Sequence, residues 1–182
     1  KQQNELGTKN ISKLLFSMAI PAITAKIIYL LYNMVDRMYI GHIPNVGATA
    51  LPAVGVTMPI IVVISAFAAL VSMGGAPRSS IMMGKGDKDT AEKILGNCTS
   101  ALVFISIALT AVVLIFGEKM LMTFGASENT INYALDYLNI YAYGTLFVQL
   151  ALGLNAFITA QGFAKTSMLT VLVGAILNII LD

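Results

Sequence analysis

Charge is what this sequence has least of. Only 11% of its 182 residues are Asp, Glu, Lys or Arg, while 57% are apolar. A water-soluble domain of this length carries about twice that charged fraction. Cysteine and histidine are scarcer still. Cys98 and His42 each stand alone, which leaves no internal disulfide, no thiolate cluster and no zinc-type ligand spacing. The net charge is only +2, and no basic block carries interleaved aromatics, so nucleic acid is not an expected partner.

What the chain does have is long apolar runs, with a mean hydropathy of +0.81. Such runs are long enough to cross a bilayer, which takes roughly 20 apolar residues per helix. The expected class is an all-α integral membrane protein with the lipid bilayer as its solvent. Five spans are read from the charge-free stretches, at about 14–40, 48–73, 95–116, 133–161 and 166–182. Pro21, Lys26 and the Asp36-Arg37 pair interrupt the first, and Pro52 and Pro59 lie in the second. The fifth is still apolar where the sequence stops, and the sequence does not open on Met or on a recognisable signal peptide. The expectation is a fragment of a longer chain.

Lys and Arg in the loops set the orientation. Lys1, Lys9 and Lys13 precede the first span, Arg78, Lys85, Lys88 and Lys93 follow the second, and Lys165 lies between the fourth and fifth. All eight fall on one side, against Lys119 alone on the other. The N-terminus is therefore expected in the cytoplasm. The polar segment "MGKGDKDTAEK" then reads as a cytoplasmic turn, with Gly84 and Gly86 in the bend and Asp87 or Asp89 as a helix cap. Its glycine spacing fits neither nucleotide fingerprint. His42 falls at an outer loop and Cys98 at an inner helix end, so no nucleophile–base pair forms and no enzyme is expected.

The stretch "YNMVDRMYIGH" places an acid inside a membrane span. Residues three and four apart share a helix face, and around Asp36 that face carries Tyr29, Tyr32, Asn33 and Tyr39. A polar stripe on a membrane helix implies a lining toward water or a polar cavity, since an intramembrane charge costs about 2.5–3.5 kcal/mol or more. Arg37 lies roughly 100° round and is expected to snorkel to the outer headgroups. The fifth span repeats the pattern with Thr170, Gly174, Asn178 and Asp182, and the fourth with Tyr133, Tyr137 and Tyr141, then Asn155 and Thr159. The plainer reading of Asn178 and Asp182 is hydrogen-bonding glue between helices. Lys26 stands near mid-membrane, roughly 80° off the Asp36 face and ~15 Å along the helix, and both snorkelling and a cavity-facing role stay open. Cys98, the ten methionines and the phenylalanines read as lipid- and core-facing packing, with a Met-lined drug pocket as the alternative.

Taken in order, "AIPAI", "YNMVDRMYIGH", "LPAVGVTMPI", "GKGDKDTAEKILGN", "QGFAKTS" and "NIILD" resemble the N-terminal lobe of multidrug and toxic compound extrusion (MATE) transporters. The resemblance covers essentially the whole chain. It implies two six-helix lobes around a cavity, of which this chain lacks the sixth helix and the C-terminal lobe, in a multi-pass protein of the cell membrane. It implies export of small organic cations in antiport with H+ or Na+, with no cofactor beyond that coupling ion. The family's essential acid matches Asp36, and its Asn-x-x-x-Asp pair matches Asn178 and Asp182. Na+ would be held by these three. A family tyrosine matches Tyr137 best and Tyr141 second; Tyr32, Asn33, Tyr39, Asn155 and Thr170 are expected to line the cavity. Arg37 departs from the small polar residue of many members. Two carboxyls in a partly dry cavity oppose each other's ionisation, which would suit them to exchange protons near neutral pH. A lipid-linked oligosaccharide flippase of the related superfamily is the alternative, although a pyrophosphate would call for a more basic cavity; a channel is the other.

Overall fold

Turn chemistry divides the chain where its apolar runs pause. The computed structural model describes residues 10–181, so Lys1, Lys9 and Asp182 lie outside the described residues. Among the described residues five helices form: α1 (Ile11–Gly41), α2 (Gly47–Gly84), α3 (Lys88–Thr123), α4 (Ile131–Ala160) and α5 (Ala164–Leu181). All five are long and apolar enough to cross a membrane. The Asn10 side chain accepts from the Ser12 N–H at 3.1 Å and starts α1. Asp87 does the same for α3, accepting from the Thr90 N–H at 3.0 Å. Gly86, at φ +82°, makes the bend before it, a left-handed conformation that glycine adopts without steric cost.

Helices α2 and α3 run well past the expected spans, α2 to Gly84 and α3 from Lys88 to Thr123. Hydropathy marks the part of a helix that suits lipid, whereas backbone hydrogen bonding continues into polar flanks. Even Pro77, about two turns before the end of α2, is carried inside the helix.

Tertiary packing makes two groups. Helices α2, α3 and α4 pack closely on one another, while α1 packs chiefly along α5. The core lies in the three-helix group, from Ala53, Ile60 and Ile64 on α2, Val113 and Leu121 on α3, and Ala134, Leu138 and Ala142 on α4. Small residues bring the backbones together. A β-carbon on Gly153 would run into the Leu102 side chain, and one on Gly75 into Cys98 and Phe157. Buried polar groups then tie the helices, as expected where lipid offers no competing water. Thr110 Oγ1 donates to the Ala142 carbonyl at 3.0 Å, and Gln149 Nε2 to the Ile64 carbonyl at 2.7 Å.

Candidate functional site

The acid of the first helix does not stand alone. Asp36 is half-buried, five residues before the end of α1, and lies near enough to Tyr32 and Tyr137 for its charge to act on both hydroxyls. Tyr137 belongs to α4, a helix that meets α1 through long side chains and not through closely packed backbones. Tyr29 stacks edge-on against Tyr32, with ring centroids 5.3 Å apart and planes at 84°. Tyr141, one turn along α4 from Tyr137, lies within electrostatic reach of Tyr29, Tyr32 and Tyr137 and in hydrogen-bonding reach of Ser65 on α2. Four tyrosines from two helices thus form one group, of which Tyr32 and Tyr137 lie within reach of the carboxyl. Asn33 turns its amide back on its own helix, Nδ2 donating to the Tyr29 carbonyl at 2.8 Å.

Arg37 differs from its expected position. It does not run free to the headgroups but donates from Nη2 to the Met58 thioether on α2 at 3.3 Å. The opening of α2 is close enough to catch the side chain before it extends. Tyr39, expected to line the cavity, is more open than Tyr32. It is 50% exposed and borders, with Val35, Met38 and His42, a separate open groove of about 320 Å³. A second groove of about 450 Å³ lies near it between Met34, Arg37, Met38 and Leu51. Both are apolar and lie toward the outer end of α1, beside the tyrosine cluster and not within it.

Asn155 and Thr170 form a second polar group, about 27 Å of helix rise away from Tyr137. Asn155 Nδ2 donates to Thr170 Oγ1 at 3.3 Å, and the Ser167 hydroxyl donates to Asn155 Oδ1. Thr170 Oγ1 donates onward to the Ser167 carbonyl at 2.7 Å. These bonds fasten α4 to α5. Ser167 escaped the sequence reading, although its place three residues before Thr170 was a signal for it.

Asn178 has its Oδ1 buried with no hydrogen-bond partner among the described residues. That oxygen is free to take a proton donor or a cation, which fits the expected pair with Asp182, itself outside the described residues. Among the described residues no three of His, Cys, Asp or Glu gather as a metal site, so a Na+ ion would depend on amide, hydroxyl or carbonyl oxygens besides Asp36. Gln149 is another missed residue. It is fully buried, with Oε1 unpartnered among the described residues, and it continues the i+4 series of Tyr137, Tyr141 and Thr145 along α4.

Comparison with known proteins bears on this arrangement. A family model described as MatE matches residues 21–182. Multidrug export protein MepA of Staphylococcus haemolyticus is 27% identical over 173 residues, covering 95% of this chain and 38% of that protein. A FAD transporter of Shewanella oneidensis is 27% identical over 183 residues, covering 100% of this chain and 40% of its own length. A crystal structure of MATE in complex with MaD3S superposes with a TM-score of 0.90 at 22% identity, across 100% of this chain and 40% of that one. The chain therefore spans about two fifths of the length of the proteins it matches.

Proposed function

Since the chain belongs to the MatE family, we propose that it is the N-terminal lobe of a longer multidrug exporter. In this reading the transporter moves organic cations out of the cell against an inward flow of H+ or Na+, and Asp36 couples the two. The observation that carries it is the half-buried Asp36 carboxyl facing Tyr32 on its own helix and Tyr137 across the gap to α4. Export of drugs by MepA and the similar fold of the MATE structure support the class. The coverage of about two fifths supports a missing remainder.

The residues suggest how coupling works. A carboxyl among aromatic rings attracts an organic cation by charge, while the ring faces add cation–π attraction. A proton or Na+ at the same carboxyl removes that attraction. The ion and the drug then favour different states of the cavity, which is the requirement for exchange. In this reading Asn178 Oδ1, on the helix α5 along which α1 packs, completes the ion site together with the Asp182 carboxyl. Pro21 in α1, with Pro52 and Pro59 in α2, supplies points where helices bend as the lobe changes shape.

Asp36→Asn in the full-length protein, reconstituted in liposomes, tests the proposal. Coupled efflux is expected to fall to background under separate pH and Na+ gradients, with membrane insertion intact, because the amide keeps the shape but cannot carry the charge. Wild-type efflux under every gradient would assign Asp36 to structure alone.

A further inference from the structure

Sulfur and imidazole share the face of α1 that points away from Asp36. On a regular helix Met34 and Met38 lie roughly 160° round from that carboxyl, and both are exposed, at 63% and 56%. His42 follows at the same i+4 step, where α1 ends. Each step turns about 40° and climbs about 6 Å, so two thioethers and one imidazole form a single rising stripe. All three border the groove of about 450 Å³ beside Leu51 of α2, and Met38 and His42 also border the smaller groove.

The imidazole decides what the stripe can hold. His42 Nδ1 lies 2.7 Å from the Met38 carbonyl oxygen. A carbonyl only accepts, so Nδ1 carries the hydrogen and donates it. In the neutral ring Nε2 then keeps a bare lone pair in a fixed orientation. Anchoring one ring nitrogen to a backbone carbonyl while the other stays open is the usual arrangement of a metal-binding histidine. The donors beside it are thioethers, which are soft and uncharged and select Cu(I) over harder ions. Neither groove has a carboxylate among its described lining residues, and Arg37 borders the larger one. Its positive charge opposes a divalent ion about twice as strongly as a monovalent one. Arg37 does not take up the stripe's sulfurs, since its Nη2 donates to Met58 on α2 at 3.3 Å.

We infer that Met34, Met38 and His42 form a site for a soft monovalent metal ion, Cu(I) or Ag(I), at the C-terminal end of α1. Two sulfurs and Nε2 make a set of neutral donors suited to such an ion. Met38 and His42 are the leading pair, because the ring leans back over the turn that carries Met38. Met34 closes the set from the turn before. The ion sits on the face away from Asp36, so it does not compete with a proton or Na+ there. The assignment needs neither transport nor the Asp36 site, and it stands apart from the efflux reading.

The test titrates silver nitrate, which needs no reductant, into the purified full-length protein in chloride-free buffer. Cys98 and any other cysteine are first replaced by alanine, so that no thiol competes for the ion. The readout is the NMR signal of isotope-labelled methionine methyl groups, with Met34→Leu and Met38→Leu identifying the two that matter. Those two signals are expected to move together along one saturation curve. The methyl of Met73, 77% exposed on α2, should stay in place at the same concentrations and serves as the isolated thioether. His42→Gln should weaken Ag(I) at least about tenfold, since losing even an outer partner of a ligand costs that much. Zinc sulfate should move neither signal. Unmoved Met34 and Met38 signals, Met73 titrating as tightly as they do, a smaller loss in His42→Gln, or zinc binding as tight as silver overturns the inference. If His42→Gln fails to fold, the comparison of Met38 with Met73 in the parent protein still decides.

Discussion

The two helix groups solve different problems with the same apolar composition. Within their most apolar stretches, α2 and α4 bury 28% of residues and α3 22%, against 6% for α1 and 11% for α5. The three-helix group is close-packed around glycine and alanine contacts, with Leu102, Leu121 and Leu138 fully enclosed. The α1–α5 pair buries only Pro21, Ala164 and Ala175, yet carries Lys26, Asp36, Arg37 and Asn178. The proposed coupling residues thus sit on the pair that is less buried within this chain, which spans about two fifths of the length of the proteins it matches.

The contrast breaks most sharply at glycine. Gly153→Val forces a branched side chain onto Leu102, which is 0% exposed and has nowhere to retreat. A cost of about 3 kcal/mol is expected, the upper end of the overpacking range, read as a fall in the thermal unfolding midpoint of the purified protein. Gly174→Ala on α5 meets nothing within 4 Å and should stabilise by up to about 1 kcal/mol through helix propensity. Comparable losses at both sites would erase the distinction. A loss at Gly174 alone would show that another part of the full-length protein closes on α5 there.

A smaller effect is expected inside the rigid group. Gln149 Oε1 is buried without a partner among the described residues, and an orphan acceptor costs about 1–3 kcal/mol. Gln149→Met keeps the length and removes the orphan together with the Nε2 bond to the Ile64 carbonyl. Stability within about 1 kcal/mol of wild type, or above it, is the expected outcome. A clear loss would mean that a water or ion occupies the site and that the three-helix group also carries a functional polar centre.

The smallest effect lies in the turn that joins α2 to α3. The Thr90 hydroxyl and N–H beside Asp87 hold its carboxyl below the usual aspartate range. A lowered value in the folded state means the cap contributes above the ordinary aspartate range and is lost only as pH falls through the lowered value. Amide exchange at Thr90 should therefore stay slow into moderately acid solution and speed up below it. Acceleration already within the ordinary aspartate range would show that the cap is weaker than its geometry.

Sequence alone determined the class and the main parts. Lipid excludes unpaired backbone, so five long apolar runs in a chain with 11% charge had to be helices, and Asp36 had to face something polar. The resemblance carried by the ordered motifs placed the chain in its family, which the MatE match bears out. Helix ends were less legible, because hydrogen bonding outruns hydropathy at α2 and α3. Partners across helices were not legible at all. That Asp36 meets Tyr137, that Arg37 is caught by Met58, that Asn155 joins Ser167 and Thr170, and that Tyr39 borders a separate groove all depend on helix rotation and crossing. Within the three-helix group those are set partly by where glycines let backbones approach, as at Gly75 and Gly153. Periodicity gives each helix its face; only packing decides which faces meet.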